Sequence, residues 1–292
     1  MSNETLETFG VIGAGQMGRG IAQVAAASGY RVALADANLA LAEKGKATIV
    51  GQLGKLVEKG KLSAEERDAI AQRITPAAGP SAFATVDLAV EAATENFELK
   101  VKLLQAYDAA LPEHAILASN TSSISITKLA AATKRPARVM GMHFMNPVPL
   151  MKLCELVRGI QTSEETYTAV RAAAERMGKT VVVANDYPGF IVNRVLIPLL
   201  NEACFALQEG VATAEDIDQG VKLGLNHPMG PLELSDLIGL DTVLAIAEVL
   251  HREIGDSKYR APTMLRNLVA AGWLGKKTGR GFYTYDATGK KA

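Results

Sequence analysis

One short stretch limits the folds open to this chain more than any other. Gly13-Ala14-Gly15-Gln16-Met17-Gly18 lies between an apolar strand candidate, Phe9–Gly13, and a helical run reaching about Ala27. Glycines at this spacing suit a strand that turns sharply into a helix. The first permits the turn, the second lets a pyrophosphate approach the backbone, and the third lets helix and strand pack closely. An acidic residue, Asp36, follows the next β-rich run, Arg31–Ala35, at about the 20-residue offset where a carboxylate hydrogen-bonds a ribose 2′-hydroxyl and repels a 2′-phosphate. No arginine follows in Ala37-Asn38-Leu39. The combination reads as a dinucleotide site for NAD rather than NADP, with Gly13, Gly15, Gln16, Met17, Gly18 and Asp36 around the cofactor. Three turn glycines and a surface aspartate are the bland alternative, which the strand–helix–strand setting disfavours.

Around this unit the pattern alternates. Strand candidates are Phe9–Gly13, Arg31–Ala35, Leu88–Ala92, Ile116–Ser119, Arg138–His143, Leu153–Val157 and Thr180–Ala184, with helical stretches between them. Such alternation argues for a parallel sheet covered on both faces. A long helical excursion, about Asn38 to Gln72, places Ile49, Leu53, Leu56 and Val57 at helical spacing. Asn185-Asp186-Tyr187-Pro188-Gly189 breaks the pattern, and beyond it 190–208, 213–223, 232–255 and 262–271 read as helices. The expected architecture is α/β: a Rossmann-type, doubly wound, mainly parallel sheet over 1–185, then a smaller all-helical substrate and dimerisation domain over 186–292.

The 31 basic and 31 acidic residues cancel, so no global field favours nucleic acid or an anionic membrane. The longest apolar run, Ile191 to Leu207, is broken by Asn193, Arg194, Asn201 and Glu202 and does not suit a bilayer. Cys154 and Cys204 form no CxxC pattern, which suits a reducing compartment. Met1 to Thr8 is polar and acidic, unlike a signal or transit peptide. A cytoplasmic location is the expectation.

Hydride transfer from an alcohol needs a base, a partner for that base and donors for the substrate oxygen. Of the four histidines, His114 and His251 sit in polar stretches and His227 in a turn sequence. His143 ends a late strand at its C-terminal edge, where open α/β sheets place their sites. A chain reversal near Pro149 sets His143 opposite Glu155, about 5 Å away at Cβ, where a carboxylate fixes the imidazole tautomer. Asn120-Thr121-Ser122-Ser123 follows the strand Ile116–Ser119 and reads either as a helix N-cap or as a ligand-facing cluster. Asn193, amid apolar neighbours, is either a buried structural hydrogen bonder or a donor reaching a cleft.

These residues carry a resemblance. Asp186-Tyr187-Pro188-Gly189-Phe190-Ile191-Val192-Asn193-Arg194 and Gly224-Leu225-Asn226-His227-Pro228-Met229-Gly230-Pro231-Leu232 resemble signatures of the 3-hydroxyacyl-CoA dehydrogenase family. So do Asn120-Thr121-Ser122-Ser123, His143-Phe144-Met145-Asn146-Pro147 and the closing Lys277-Thr278-Gly279-Arg280-Gly281-Phe282-Tyr283. The likeness covers essentially the full length and is greatest to the stand-alone bacterial 3-hydroxybutyryl-CoA dehydrogenases. It implies reversible, NAD-dependent oxidation of an (S)-3-hydroxyacyl-CoA, with His143 as base and Glu155 as its partner. It further implies Ser122 and Asn193 at the reacting end of the substrate, Glu95, Lys100 and Asn120 toward the cofactor, no metal, and a homodimer through the C-terminal domain. Its CoA contacts fall in the helical excursion, where Lys55 and Lys59 lie one turn apart off the apolar stripe. Either residue meets a CoA phosphate or belongs to a solvated face. The rival enzyme is a sugar-acid type hydroxyacid dehydrogenase on the same scaffold that does not use CoA. An NAD-binding protein without catalysis does not require Ser122, His143, Glu155 and Asn193 together.

Overall fold

The computed structural model describes residues 6–292. Of the polar Met1–Thr8 segment, the first five residues lie outside the described residues. The chain divides into two compact units, one ending at Tyr187 and one starting at Pro188. The division falls two residues later than the sequence break suggested. The reason is Asp186: its Oδ1 accepts from Ile126 N–H at 2.9 Å, and its Oδ2 from Ser125 Oγ at 2.7 Å and Thr127 N–H at 2.8 Å. A side chain holding three donors of the first unit belongs to it, whatever the Pro-Gly pair does next.

The first unit is an eight-stranded sheet. Its strands are β1 (Thr8–Ile12), β2 (Arg31–Ala35), β3 (Ile74–Ala77), β4 (Leu88–Glu91), β5 (Ile116–Ser119), β6 (Val139–Phe144), β7 (Leu153–Arg158) and β8 (Thr180–Asn185). They lie in the order β3-β2-β1-β4-β5-β6-β7-β8. Pairing is parallel throughout except at β6–β7, which is antiparallel. The order reverses between β1 and β4, the switch point at which such sheets bind ligands beyond their strand ends. β4, β5 and β6 are buried along their whole length, so they read as continuous apolar runs rather than alternating ones. Helix α1 (Gln16–Ala27) seals its Ile21, Ala22, Ala25 and Ala26 into the core beside Phe9, Leu34 and Val90, and each large apolar side chain buried there stabilises by roughly 1.5–3 kcal/mol.

Three expectations needed correction here. The excursion is two helices, α2 (Leu39–Glu58) and α3 (Ala64–Gln72), because Gly60 takes φ 64° and Ser63 starts α3 with a reciprocal capping box to Glu66. β3 was not among the expected strands. It has four residues and contains Pro76, tolerated because this is the sheet's edge strand. The helices α4 (Phe97–Ala110), α5 (Ile126–Ala131) and α6 (Glu164–Arg176) complete the unit.

The second unit contains α7 (Val192–Gln208), α8 (Ala214–Gly224), α9 (Pro231–Ile238), α10 (Leu240–Ile254) and α11 (Thr263–Ala270). The third correction lies here: 232–255 is two helices, since Gly239 at φ 102° turns the chain between α9 and α10. Ile197, Leu200, Leu232, Val243, Leu250, Tyr259 and Leu265 form its core. The closing Gly-Phe-Tyr motif is bound by two buried aspartates. Asp236 accepts from Phe282 N–H, Tyr283 N–H and Tyr285 Oη, each at 2.9 Å. Asp218 accepts from Leu232 and Glu233 N–H at the start of α9 and from Tyr283 Oη at 2.7 Å. Burial raises the Asp236 pKa above its ordinary value despite these donors. Among the described residues no helix is long and apolar enough to cross a membrane.

Candidate active site

The fingerprint loop leaves β1 and enters α1. Gly13 takes φ 110°, and a Cβ there would sit 2.8 Å from the Ala92 carbonyl oxygen. A Cβ on Gly18 would lie 1.7 Å from the carbonyl oxygen of Gly13. Both glycines are thus required by the protein's own packing. Gly15 is different: a Cβ there would meet nothing within 4 Å. It also starts α1 with no side-chain cap, and the helix has no acidic residue in its first turn. Bare N–H groups at a helix start, open space above them and no acidic residue in the helix's first turn suit a pyrophosphate. Gly18→Ala is therefore expected to lower Tm markedly. Gly15→Ala is expected to leave Tm unchanged and weaken NADH binding by tenfold or more in a fluorescence titration.

Asp36 sits just past β2. Its Oδ2 accepts from Ala14 N–H at 2.6 Å and its Oδ1 from Ala37 N–H at 2.7 Å. The carboxylate is thereby fixed to the fingerprint loop while keeping lone pairs for a diol. Gln16, at the first helical position, donates Nε2–H to Asn146 Oδ1 at 3.0 Å, and Met17 packs on the core.

On the other side of the switch point, β6 and β7 place His143 directly opposite Glu155 in antiparallel register. His143 Nδ1 lies 2.7 Å from Glu155 Oε2; the histidine is 7% exposed and the glutamate fully buried. Two supports hold this hairpin. The β5–β6 ladder ends at Gly141, and past it Asn120 Oδ1 accepts the Phe144 N–H at 2.9 Å. In the turn, buried Lys179 donates to the carbonyls of Val148 at 2.6 Å and Met151 at 2.9 Å; burial holds its pKa below the usual lysine value.

A second polar cluster lies beyond β4 and β5. Oε1 of Glu95 accepts from the Thr121 hydroxyl, from Ser122 and Ser123 N–H at 2.9 and 3.2 Å, and from the Ser122 and Ser123 hydroxyls at 3.3 and 3.1 Å. Burial acts to raise its pKa. The neighbouring Lys100 ammonium and the Thr121 and Ser122 donors outweigh this and hold it below the ordinary carboxylate range. The N-cap of α5 is Ser125, not Ser122 or Ser123, so the capping alternative for these two serines does not hold. Lys100 is almost fully buried. Its Nζ lies 2.7 and 2.9 Å from the two Glu91 oxygens, 3.2 Å from the Ala93 carbonyl and 3.3 Å from Glu95 Oε2.

Lys55 and Lys59 are both exposed at the end of α2. Asn193 belongs to the helical unit, buried in the first turn of α7. His114 and His251 are exposed, His114 beside Asp87 at 3.1 Å, and His227 follows Asn226 at φ 54° in a turn. Glu91 and Lys179 escaped the sequence reading, and Asn146 and Asp186 were quoted there only within motifs, with no role of their own. Glu91 left a local trace, a charge closing the otherwise apolar run Leu88-Ala89-Val90. Among the described residues no cluster of His, Cys, Asp and Glu suited to a metal ion occurs.

Both units resemble known proteins. Residues 8–187 match the NAD binding domain of 3-hydroxyacyl-CoA dehydrogenase, and residues 189–285 match its C-terminal domain. The 3-hydroxybutyryl-CoA dehydrogenase of Bradyrhizobium diazoefficiens is 51% identical over 280 residues, 96% of each chain. The mitochondrial hydroxyacyl-coenzyme A dehydrogenase of Rattus norvegicus is 43% identical over 282 residues, 94% of this chain and 90% of that one. The crystal structure of (S)-3-hydroxybutyryl-CoA dehydrogenase from Ralstonia eutropha superposes with a TM-score of 0.93 at 50% identity, covering 96% of this chain and 99% of that one. With both units matched and such identity along nearly its whole length, the chain belongs to the 3-hydroxyacyl-CoA dehydrogenase family of NAD-dependent oxidoreductases.

Proposed function

We propose that the chain interconverts (S)-3-hydroxybutyryl-CoA and related short-chain (S)-3-hydroxyacyl-CoA thioesters with their 3-oxo forms, using His143 as general base and Glu155 as its orienting partner. The observation that carries this reading is the 2.7 Å contact between His143 Nδ1 and Glu155 Oε2 on adjacent strands. An ionised carboxylate only accepts hydrogen bonds, so it fixes the imidazole proton on Nδ1 and makes Nε2 the proton acceptor. NAD, when bound, supplies the hydride acceptor. As the hydroxyl proton passes to Nε2, Glu155 stabilises the imidazolium that results. In the reductive direction the same imidazolium returns the proton.

Ser122 and Asn193 serve in this reading as donors to the substrate oxygen, and Glu95 and Asn120 border the nicotinamide half of the cofactor. Lys55 or Lys59 meets the CoA phosphates, since both extend from an exposed helix end. The substrate range follows the names of the relatives. The deciding experiment is NADH-dependent reduction of acetoacetyl-CoA, set beside a truncated thioester without the nucleotide and a sugar acid with NAD. Efficient turnover of acetoacetyl-CoA and a higher KM for the truncated thioester are expected. Turnover of the sugar acid alone refutes the CoA reading.

Asp36 supplies the cofactor preference. Asp36→Ala is expected to raise the KM for NADH and to narrow the preference over NADPH at least tenfold. Equal use of NADH and NADPH by the unaltered protein would remove this role.

The helical unit leaves Val195, Leu223, Leu225 and Leu237 exposed, apolar surface of the kind that association covers. A homodimer through this unit is the corresponding proposal. Sedimentation is expected to give twice the 30.9 kDa chain mass at micromolar concentration, and the mass of a single chain excludes the dimer.

A further inference from the structure

We infer that Glu91 biases the site toward the oxidised cofactor: with Lys100 and Glu95 it leaves one uncompensated negative charge beneath the nicotinamide half of the crevice, favouring the cationic nicotinamide ring of NAD+ over the neutral ring of NADH. This goes beyond the proposed chemistry and rests on it only for the placement of the nicotinamide.

Glu91 closes β4 and is fully buried. Its Oε1 accepts from Lys100 Nζ at 2.7 Å and Ala93 N–H at 2.6 Å, and its Oε2 from Lys100 Nζ at 2.9 Å and Ser119 Oγ at 2.6 Å. Every partner is a donor, so the group is held as an acceptor-only carboxylate. Glu95 approaches the same ammonium at 3.3 Å. Two carboxylates therefore share one cation.

A buried ion pair is seldom favoured for stability alone, since apolar residues of similar volume often do as well or better. An ion pair with a surplus charge, at the end of an otherwise apolar strand, points to a use for the charge. The location supplies one. The fingerprint loop and Asp36, at β1 and β2, take the adenosine half of the dinucleotide. The other half then extends over the strand ends beyond the switch point, which begin with β4. Hydride acceptance removes the positive charge of the nicotinamide ring. The hydroxyl proton meanwhile creates a positive charge on His143, which has its own carboxylate in Glu155. The two carboxylate groups thus act on opposite ends of one charge transfer. Glu91 and Glu95 hold the cation on the cofactor before reaction, and Glu155 holds it on the imidazole after.

The test compares dissociation constants for NAD+ and NADH by isothermal titration calorimetry at pH 8.5, without substrate. Glu91→Gln leaves Lys100 and Glu95 balanced and is expected to raise Kd(NAD+)/Kd(NADH) by roughly threefold to tenfold, the scale of one partly screened charge at close range. Lys100→Met leaves two carboxylates unopposed and moves the ratio the other way. The double variant removes the ion pair but restores the net charge, and its ratio returns toward that of the unaltered protein. A role in loop geometry alone weakens both cofactors equally in all three variants, and that result overturns the inference. If Glu91→Gln does not fold, the direction of the Lys100→Met shift decides alone. If the unaltered protein binds neither cofactor, the nicotinamide placement itself fails, and the inference with it.

Discussion

Replacing His143 by alanine is expected to lower kcat for acetoacetyl-CoA reduction by about 10²–10⁴-fold, the contribution of a positioned acid–base group. NADH affinity is expected to stay within about twofold of the original, because the fingerprint loop and Asp36 hang on β1 and β2, with β4 and β5 between them and β6. His143 is 7% exposed, so its truncation leaves a small cavity and takes one hydrogen-bond partner from buried Glu155. A fall in Tm is expected as well. The check is stopped-flow NADH consumption with saturating acetoacetyl-CoA, on protein shown by calorimetry to be folded. A folded His143→Ala protein with unaltered kcat would sink the proton-transfer role while leaving the fold and the cofactor intact.

Glu155→Gln should be almost as severe. A glutamine keeps the shape but carries no charge to stabilise an imidazolium. Its amide also turns either face toward Nδ1, so it no longer dictates the tautomer. Where a carboxylate–histidine pair loses its charge in this way, with geometry kept, losses of up to about 10⁴ in kcat are known. A fall of at least 10² is expected here. The buried carboxylate also lies 2.7 Å from the imidazole Nδ1. Glu155→Ala is expected to match Glu155→Gln in kcat but lose more stability, by roughly 1–3 kcal/mol from the hydrogen bond that His143 loses. Single-turnover rates measured beside the melting curves separate the two contributions. A Glu155→Gln protein within twofold of the original kcat would show that the charge of Glu155 has no part in proton transfer.

What was legible in the sequence was whatever rests on short-range rules. Pro147 and Pro149 enforce a reversal, so the pairing of His143 with Glu155 could be read from distance to the turn alone. The fingerprint glycines and Asp36 are likewise a local grammar of strand, turn and helix. The misreadings arose where one weak signal sat inside a stronger one. Gly60 and Ser63 separate α2, with its stripe of Ile49 and Leu53, from α3, which buries Ile70. Gly239 breaks 232–255 with apolar residues on both sides. Pro76 disguises β3 because edge position is a tertiary property. The position of the unit boundary depends on Asp186 reaching residues 59 to 61 positions earlier. The contacts of Glu91, Lys179 and Asn146 were missed for a related reason: each acts on groups distant in sequence.

The antiparallel register of β6 and β7 sets which insertions this gene product tolerates. Side chains alternate between the faces of a strand, so a slip of one residue turns every one of them to the opposite side. Adding or removing a single residue between Met145 and Lys152 would rotate Glu155 away from His143 while leaving the strands able to pair. The bend itself is anchored through backbone carbonyls, at Val148 and Met151, and carbonyls are present in any amino acid. Lys179 thus constrains the length of the bend, while Asn146, the prolines and buried Val148 constrain its identity. Across diverged members of such a lineage, this segment should keep both its count and these residues.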